Sequence, residues 1–208
     1  MYIKITNKCN MHCAHCGMSS HAKGKHMPMD TFKQALKFME YQGEESIAIG
    51  GGEPTTHPEF WSILGQCIGS FEYVWMATNG KNTEIALKLA NMARRGTISV
   101  DLSQDPYHEQ IEQRVVKAFQ RRVGDNSDCR GVRDTSKSLV NTGRAKLNDL
   151  GGSDTCICPD NIILPSGKIK WCGCTGSPAI GDVWKGISDR YLEAWGEGDM
   201  RECHKGLL

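Results

Sequence analysis

Short strand-like apolar runs alternate with stretches whose apolar residues recur every three to four positions. Tyr2 to Thr6 reads as a first strand, and a cysteine- and histidine-rich loop follows to about Met27. Pro28 stands near a helix start, where Asp30 or Thr31 can cap, and Phe32, Ala35, Leu36 and Met39 give that helix an apolar face. Ser46 to Ile49 reads as a second strand, Glu59 to about Ile68 as a helix and Tyr73 to Ala77 as a third strand. Glu84 to Arg94, Thr97 to Leu102 and Glu109 to Arg122 continue as helix, strand and helix. Gly124 to Ser138 is polar, with a short strand near Val132, and Leu139 to Asn141 is the expected last strand of this series.

Strands that alternate with helices imply parallel βαβ units with right-handed crossovers. About 150 residues cannot hold eight such units at roughly 30 residues each. The expected fold is therefore α/β, a partial TIM-like barrel of five or six β/α units, with a flat doubly wound sheet as the alternative. After about Gly152 the chain turns rich in Cys, Gly and Pro. Ile162 to Leu164 and Lys168 to Trp171 read as a hairpin around Pro165-Ser166-Gly167, and Ile187 to Trp195 as a closing helix. The expected organisation is a core over residues 1–150 and a small extension over 151–208, too small to fold unaided.

A formal net charge of +1 gives no bulk pull toward nucleic acid or an acidic membrane. No apolar run approaches the ~20 residues of a membrane span, and the opening residues lack the apolar core of a signal peptide. A cytoplasmic location is expected. There are ten cysteines, and eight fall into two local groups. Clustered cysteines in a reducing compartment point to metal rather than to disulfides. Cys67 and Cys129 lie outside both groups.

Cys9, Cys13 and Cys16 have the spacing Cys-x3-Cys-x2-Cys in the loop after the first strand. Three thiolates can ligate three corners of a cubane cluster and leave the fourth iron open. A zinc site completed by His12 or His15 uses the same residues. Gly51-Gly52-Glu53-Pro54 follows the second strand, where glycines allow close backbone approach and Glu53 can accept from an ammonium group. Thr78-Asn79-Gly80 ends the third strand, as ligand contact or as a capping turn. Ser99 and Asp101 share one face of the fourth strand. Asp105, Tyr107 and His108 follow it, as substrate contacts or as solvated loop residues. In α/β folds such strand ends are where ligands gather. Cys156, Cys158, Cys172 and Cys174 flank the expected hairpin, with Cys203 nearer the C-terminus, a set that suits a second iron–sulfur cluster or a zinc ribbon.

The loop CNMHCAHC, together with the Gly-Gly-Glu run, resembles the signature of the radical S-adenosylmethionine superfamily. The resemblance implies a 4Fe–4S cluster on Cys9, Cys13 and Cys16, with S-adenosylmethionine chelating its fourth iron. It implies His15 beside the adenine and Gly51, Gly52 and Glu53 at the methionine amino group. It brings Thr78 and Asn79 near the cofactor and Ser99 and Asp101 to the ribose. Gly143 would lie beside the adenine on a late strand, and Arg144 at the cofactor carboxylate or in a surface ion pair. CPDNIILPSGKIKWCGC and the residues after it resemble the auxiliary-cluster modules called SPASM or twitch. That implies a second 4Fe–4S cluster on Cys172, Cys203 and two of Cys156, Cys158 and Cys174. The implied activity is reductive cleavage of S-adenosylmethionine to a 5′-deoxyadenosyl radical that abstracts substrate hydrogen. The implied partners are an electron donor such as flavodoxin or ferredoxin and a peptide or protein substrate, with a nucleotide or other small molecule as the alternative. In an epimerase, Cys67 or Cys129 could return a hydrogen atom. A non-catalytic iron–sulfur or zinc protein would have no need of Gly51 to Glu53.

Overall fold

A computed structural model describes residues 1–120, 131–136, 139–151, 161–174 and 176–196. Its elements are β1 (Tyr2–Thr6), α1 (Met29–Tyr41), β2 (Ser46–Gly51), α2 (Phe60–Ser70), β3 (Tyr73–Thr78), α3 (Thr83–Arg94), β4 (Ser99–Ser103), α4 (Gln113–Gln120), β5 (Val132–Arg133), α5 (Gly143–Leu147), β6 (Ile162–Ile163), β7 (Lys168–Lys170), β8 (Ala179–Asp182), β9 (Gly186–Ile187) and α6 (Asp189–Gly196). They build one sheet in the order β5-β4-β3-β2-β1-β6-β7-β8-β9. Neighbours from β5 to β6 run parallel, and β6 to β9 run antiparallel. The sheet stays open, as a partial barrel requires.

Strand alternation sorts the side chains. Ile3, Ile5, Ile47, Ile49, Val74, Met76, Val100 and Leu102 are buried in the main apolar core. That core also holds Phe32 and Met39 of α1, Ile63 and Leu64 of α2, Leu89 of α3 and Val115 of α4. Each fully buried side chain of this size contributes about 1.5–3 kcal/mol. The opposite phase is smaller or more polar. The register aligns Tyr2 with Ala48, Ala48 with Trp75 and Trp75 with Ser99, and it aligns Lys4 with Gly50. A Cβ at Gly50 would stand 1.6 Å from the Tyr2 hydroxyl, so any larger residue there would displace the tyrosine ring.

The four expected strands and the first three helices form within a few residues of their expected bounds. Two features differ. Leu139 to Asn141 is not a strand: Val140 makes one isolated bridge, and the chain turns into the short helix α5. A three-residue apolar run carries too little pattern to separate the two. The expected hairpin forms as β6 and β7, but β8 and β9 extend it, and β6 pairs in parallel with β1. Ile163, Ile169, Trp171, Ile180 and Val183 join the same apolar core. Among the described residues, no helix is long and apolar enough to cross a membrane.

Candidate functional site

Where β1 ends, the chain leaves the sheet and is pinned by its own backbone. Asn7 N–H donates to the Lys25 carbonyl at 2.8 Å, Cys9 N–H to His21 at 3.1 Å and Cys16 N–H to Cys13 at 3.3 Å. Gly52 makes the neighbouring β2 end close enough: a Cβ there would meet the Lys8 carbonyl oxygen at 2.2 Å and the Cys9 Cβ at 3.0 Å. Cys9, Cys13 and Cys16 are free thiols, all half-buried.

Burial pushes the Cys9 and Cys13 thiols up, Cys13 to about 11, and repulsion from the other cysteines adds to it. These two groups ionise together only with a cationic partner. Cys9 Sγ already accepts from Met11 N–H at 3.5 Å and from Asn79 Nδ2 at 3.8 Å. Bonds of this kind tune cluster thiolates. Among the described residues, the set of three possible ligand atoms lying within 4.8 Å of one another is that of His15, Asp105 and His108. The three thiols stand wider apart, whereas one tetrahedral zinc at about 2.3 Å from each sulfur would draw them to about 3.8 Å. His12 is exposed, and the His15 ring is engaged elsewhere. The donor set fits three corners of a polynuclear cluster better than one zinc ion.

Glu53 is 1% exposed and ties the second and third strand ends together. Its Oε1 accepts from Thr55 N–H at 3.2 Å, Thr55 Oγ1 at 2.7 Å and Thr78 Oγ1 at 2.9 Å, and its Oε2 accepts from Asn79 N–H at 2.8 Å. Burial pushes this carboxyl above its ordinary range, and those four bonds oppose the shift. Oε2 keeps room for one more donor. Asn79 extends the chain of contacts, since its Nδ2 also donates to Asn10 Oδ1 at 2.8 Å. Lys81 donates to the Asn10 carbonyl at 2.8 Å and pairs with Glu109. The Cys loop, Gly-Gly-Glu and Thr-Asn-Gly thus form one bonded unit.

On the other side, His15 is buried and stacks on Tyr107, with ring centroids 5.1 Å apart. Its Nε2 lies 3.2 Å from Asp105 Oδ2. Asp105 also takes Thr135 Oγ1 at 2.7 Å and Tyr107 N–H at 3.0 Å, and His108 Nδ1 lies 2.9 Å from its Oδ1. Burial pushes the Asp105 carboxyl up, but these donors outweigh it and hold it below its ordinary value. Burial holds His15 below the ordinary histidine value. Its Nδ1 is buried with no partner. The ring lines a cavity of about 360 Å³, bounded also by Cys16, Gly51, Ser103 and Thr142. That volume lies within the range of small-ligand pockets.

Gly143 and Arg144 hold the cysteine loop from outside the motif. Gly143 has φ +58°, and a Cβ there would stand 2.2 Å from the Gly17 carbonyl oxygen. Arg144 donates from Nε to the Cys13 carbonyl at 2.9 Å and from Nη1 to Ser20 at 2.6 Å, and its N–H donates to Cys16 at 2.9 Å. Through these bonds Arg144 clamps the loop.

Asp101 is buried and accepts from Trp75 Nε1 at 3.3 Å. Ser99 opens β4 at the strand end away from the loop, bonded by the Tyr73 hydroxyl at 2.9 Å, so it is not brought to the cysteines. Cys172 and Cys174 are buried, and Cys172 N–H donates to Ser177 Oγ at 3.1 Å. Cys156, Cys158, Cys203 and Cys129 lie outside the described residues. Cys67 is fully buried on α2, in the apolar core, with its thiol pushed up to about 12 by burial.

Sequence reasoning missed Asn10, Lys81, Thr135 and Lys4. Lys4 had a signal: a lysine inside a short strand of a parallel sheet, where both faces are covered. The structure leaves it 5% exposed.

The family model described as Radical SAM superfamily matches residues 3–124. Mycofactocin maturase MftC of Mycobacterium ulcerans (strain Agy99) is 29% identical over 149 residues, which is 67% of this chain and 39% of that protein. GTP 3′,8-cyclase of Actinobacillus succinogenes (strain ATCC 55618 / DSM 22257 / CCUG 43843 / 130Z) is 27% identical over 109 residues, 50% of this chain and 32% of that protein. The chain thus spans less than half the length of these curated relatives. Among solved structures, native anSMEcpe with bound AdoMet and Cp18Cys peptide superposes with a TM-score of 0.54 at 15% identity, covering 97% of this chain and 80% of that one. At that identity the likeness concerns the fold.

Proposed function

The chain belongs to the radical SAM superfamily, and from that premise we propose that it is a catalyst which removes a hydrogen atom from a peptide or protein substrate. When bound, a 4Fe–4S cluster and S-adenosylmethionine supply reductive cleavage of the sulfonium and a 5′-deoxyadenosyl radical. Cys9, Cys13 and Cys16 would hold the cluster, with His12 exposed and the His15 ring set against Asp105. The observation that carries this reading is the bond from Asn79 N–H to Glu53 at 2.8 Å, which sets an inward-facing carboxylate directly beside the cysteine loop. Glu53 receives the cofactor ammonium, Gly51 and Gly52 let it approach, and Thr78 and Asn79 hold the carboxylate in place. His15 and Gly143 border the adenine, and Asp101 the ribose side. Burial of this ring of residues excludes water from the reacting carbon.

Two similarities support a peptide substrate: the mycofactocin maturase, and the fold shared with a structure holding a bound peptide. The likeness to a GTP cyclase favours a nucleotide as the second reading. For the C-terminal region we propose a SPASM- or twitch-like extension over residues 151–208, with an auxiliary 4Fe–4S cluster on Cys172, Cys203 and two of Cys156, Cys158 and Cys174. The pair of buried cysteines just after β7 supports it. A small electron carrier such as flavodoxin or ferredoxin would supply the electron, and a cytoplasmic setting suits both.

Anaerobic reconstitution tests the reading. The wild-type chain should release 5′-deoxyadenosine on reduction with S-adenosylmethionine, and Cys13→Ala should not. A loaded cluster that releases none makes the chain an electron carrier. Roughly eight irons per chain, falling to roughly four in Cys172→Ala/Cys174→Ala, is expected for two clusters; four in both contradicts the second.

A further inference from the structure

Asp105, Pro106, Tyr107 and His108 follow β4 as one tight turn. His108 N–H donates to the Asp105 carbonyl at 3.1 Å, and Tyr107 N–H to Asp105 Oδ1 at 3.0 Å. The turn sets the His108 and Asp105 side chains together, with Nδ1 2.9 Å from Oδ1. From the cysteine loop, His15 brings its Nε2 to 3.2 Å from Oδ2. Each of the three residues offers one ligand atom within 4.8 Å of the other two. The Asp105 side chain is 0% exposed, and those of His15 and His108 are 9% exposed.

Hydrogen bonding does not account for this convergence. His108 Nδ1 is buried and has no hydrogen-bond partner among the described residues, although it stands beside a carboxylate oxygen. His15 Nδ1 is likewise buried and unpartnered among them. Buried polar atoms left unpaired are costly, so two such imidazoles against one buried carboxylate serve the fold poorly. They suit a metal ion. A tetrahedral ion at about 2.0–2.2 Å from nitrogen and oxygen ligands holds those ligands about 3.4 Å apart, near the separations seen here. Two imidazoles and one carboxylate select zinc or another first-row divalent ion, since calcium and magnesium favour oxygen alone. An orienting outer layer is also present. Thr135 Oγ1 donates to Oδ2 at 2.7 Å, and the His15 ring is held by stacking on Tyr107 and by the edge of His108.

We propose that His15, Asp105 and His108 bind one divalent transition-metal ion of the zinc type. The site uses no cysteine. His15, His108 and Thr135 line the cavity of about 360 Å³, so the remaining position of the ion opens toward it, to an oxygen atom of the molecule held there. His15 takes the ion on Nε2 and keeps its Nδ1 edge for the adenine. The site therefore goes beyond the function proposed above without competing with it.

The test uses protein whose clusters have been reconstituted, so that the thiolates are occupied, with zinc as the probe. Wild type should keep about one zinc per chain after passage over a weak chelating resin. X-ray absorption at the zinc edge should show only nitrogen and oxygen neighbours, at about 2.0–2.2 Å. His108→Phe keeps a ring against His15, and Asp105→Asn keeps the shape of the carboxylate. Each should weaken zinc at least tenfold and leave the iron content unchanged. Zinc should raise the melting temperature of wild type and of neither variant. Loss of zinc from wild type on the resin overturns the proposal, as does wild-type affinity in either variant. Sulfur neighbours at about 2.3 Å overturn it too, by assigning the zinc to cysteines. If a variant does not fold, the other carries the comparison, and the wild-type absorption spectrum decides between nitrogen and sulfur in any case. Release of 5′-deoxyadenosine by the same protein tests the catalytic reading separately.

Discussion

Arg144 Nε donates to the Cys13 carbonyl at 2.9 Å, across 131 residues of sequence. With the bonds to Cys16 and Ser20, one guanidinium-bearing residue fixes the loop that carries all three thiols. Hydrogen bonds to charged groups contribute about 1.5–3 kcal/mol each. Arg144→Met should therefore lower the melting temperature of the apo protein and reduce iron bound after reconstitution by at least half. Arg144→Lys lacks the planar fork and should recover only part of it. Wild-type iron content in Arg144→Met contradicts the clamp.

Gly143 supplies a backbone shape that other residues resist. At φ +58°, with a Cβ placed 2.2 Å from the Gly17 carbonyl oxygen, Gly143→Ala combines strain with a clash. A cost of about 1–3 kcal/mol is expected. Gly65, exposed within α2 with nothing near its Cβ position, is the control. Gly65→Ala should stabilise by about 0.5–1 kcal/mol. Denaturant melts of the two variants should move in opposite directions.

Glu53 is surrounded by donors. In Glu53→Gln one carboxylate oxygen becomes an NH2 that faces Thr55, Thr78 or Asn79 N–H, all of which now donate. Each buried group left unpaired costs about 1–3 kcal/mol. Stability should fall by that order, and S-adenosylmethionine affinity should fall at least tenfold. Equilibrium binding by the reconstituted protein reads the second effect directly, and unchanged affinity would remove Glu53 from the cofactor site.

The histidine beside the last cysteine gives the apo protein a pH dependence. The His15 pKa is lowered in the folded chain by burial. It contributes stability that is present above about pH 6.5 and lost as pH falls through the folded value. Asp105, also held below its ordinary value, acts the same way in a lower window, and its contribution is lost below about pH 4. The apo melting temperature should drop from pH 7 to pH 5 and drop again below pH 4. His15→Phe should flatten the first step and leave the second. A remainder of the first step belongs to His26, which burial also lowers. Identical profiles for wild type and His15→Phe contradict this assignment.

Much of the fold is legible before any coordinates. Tyr2–Thr6 and Ser46–Gly51, the apolar faces of α1 to α3, and the cysteine and Gly-Gly-Glu motifs are contiguous in sequence, so local pattern reports them. What escapes is set by partners far along the chain. The two-residue strand β9 contains no full period, and pairing alone defines it. Arg144 finds its carbonyl acceptors, and Asp105 its contact with His15, only once α5 and the segment after β4 stand beside the cysteine loop. Leu139 to Asn141 is apolar enough for a strand, yet Gly143 must turn there to meet Gly17, and a helix follows.

The account depends on an iron held by no fourth side chain, open to S-adenosylmethionine. Electron paramagnetic resonance of the reduced cluster tests this most directly, in Cys172→Ala/Cys174→Ala protein so that one cluster gives the signal. Adding S-adenosylmethionine should shift the spectrum, and cofactor labelled with ¹⁵N at its amino group should add a resolvable coupling to that nitrogen. A spectrum unchanged by the cofactor, from a fully loaded cluster, would contradict the account.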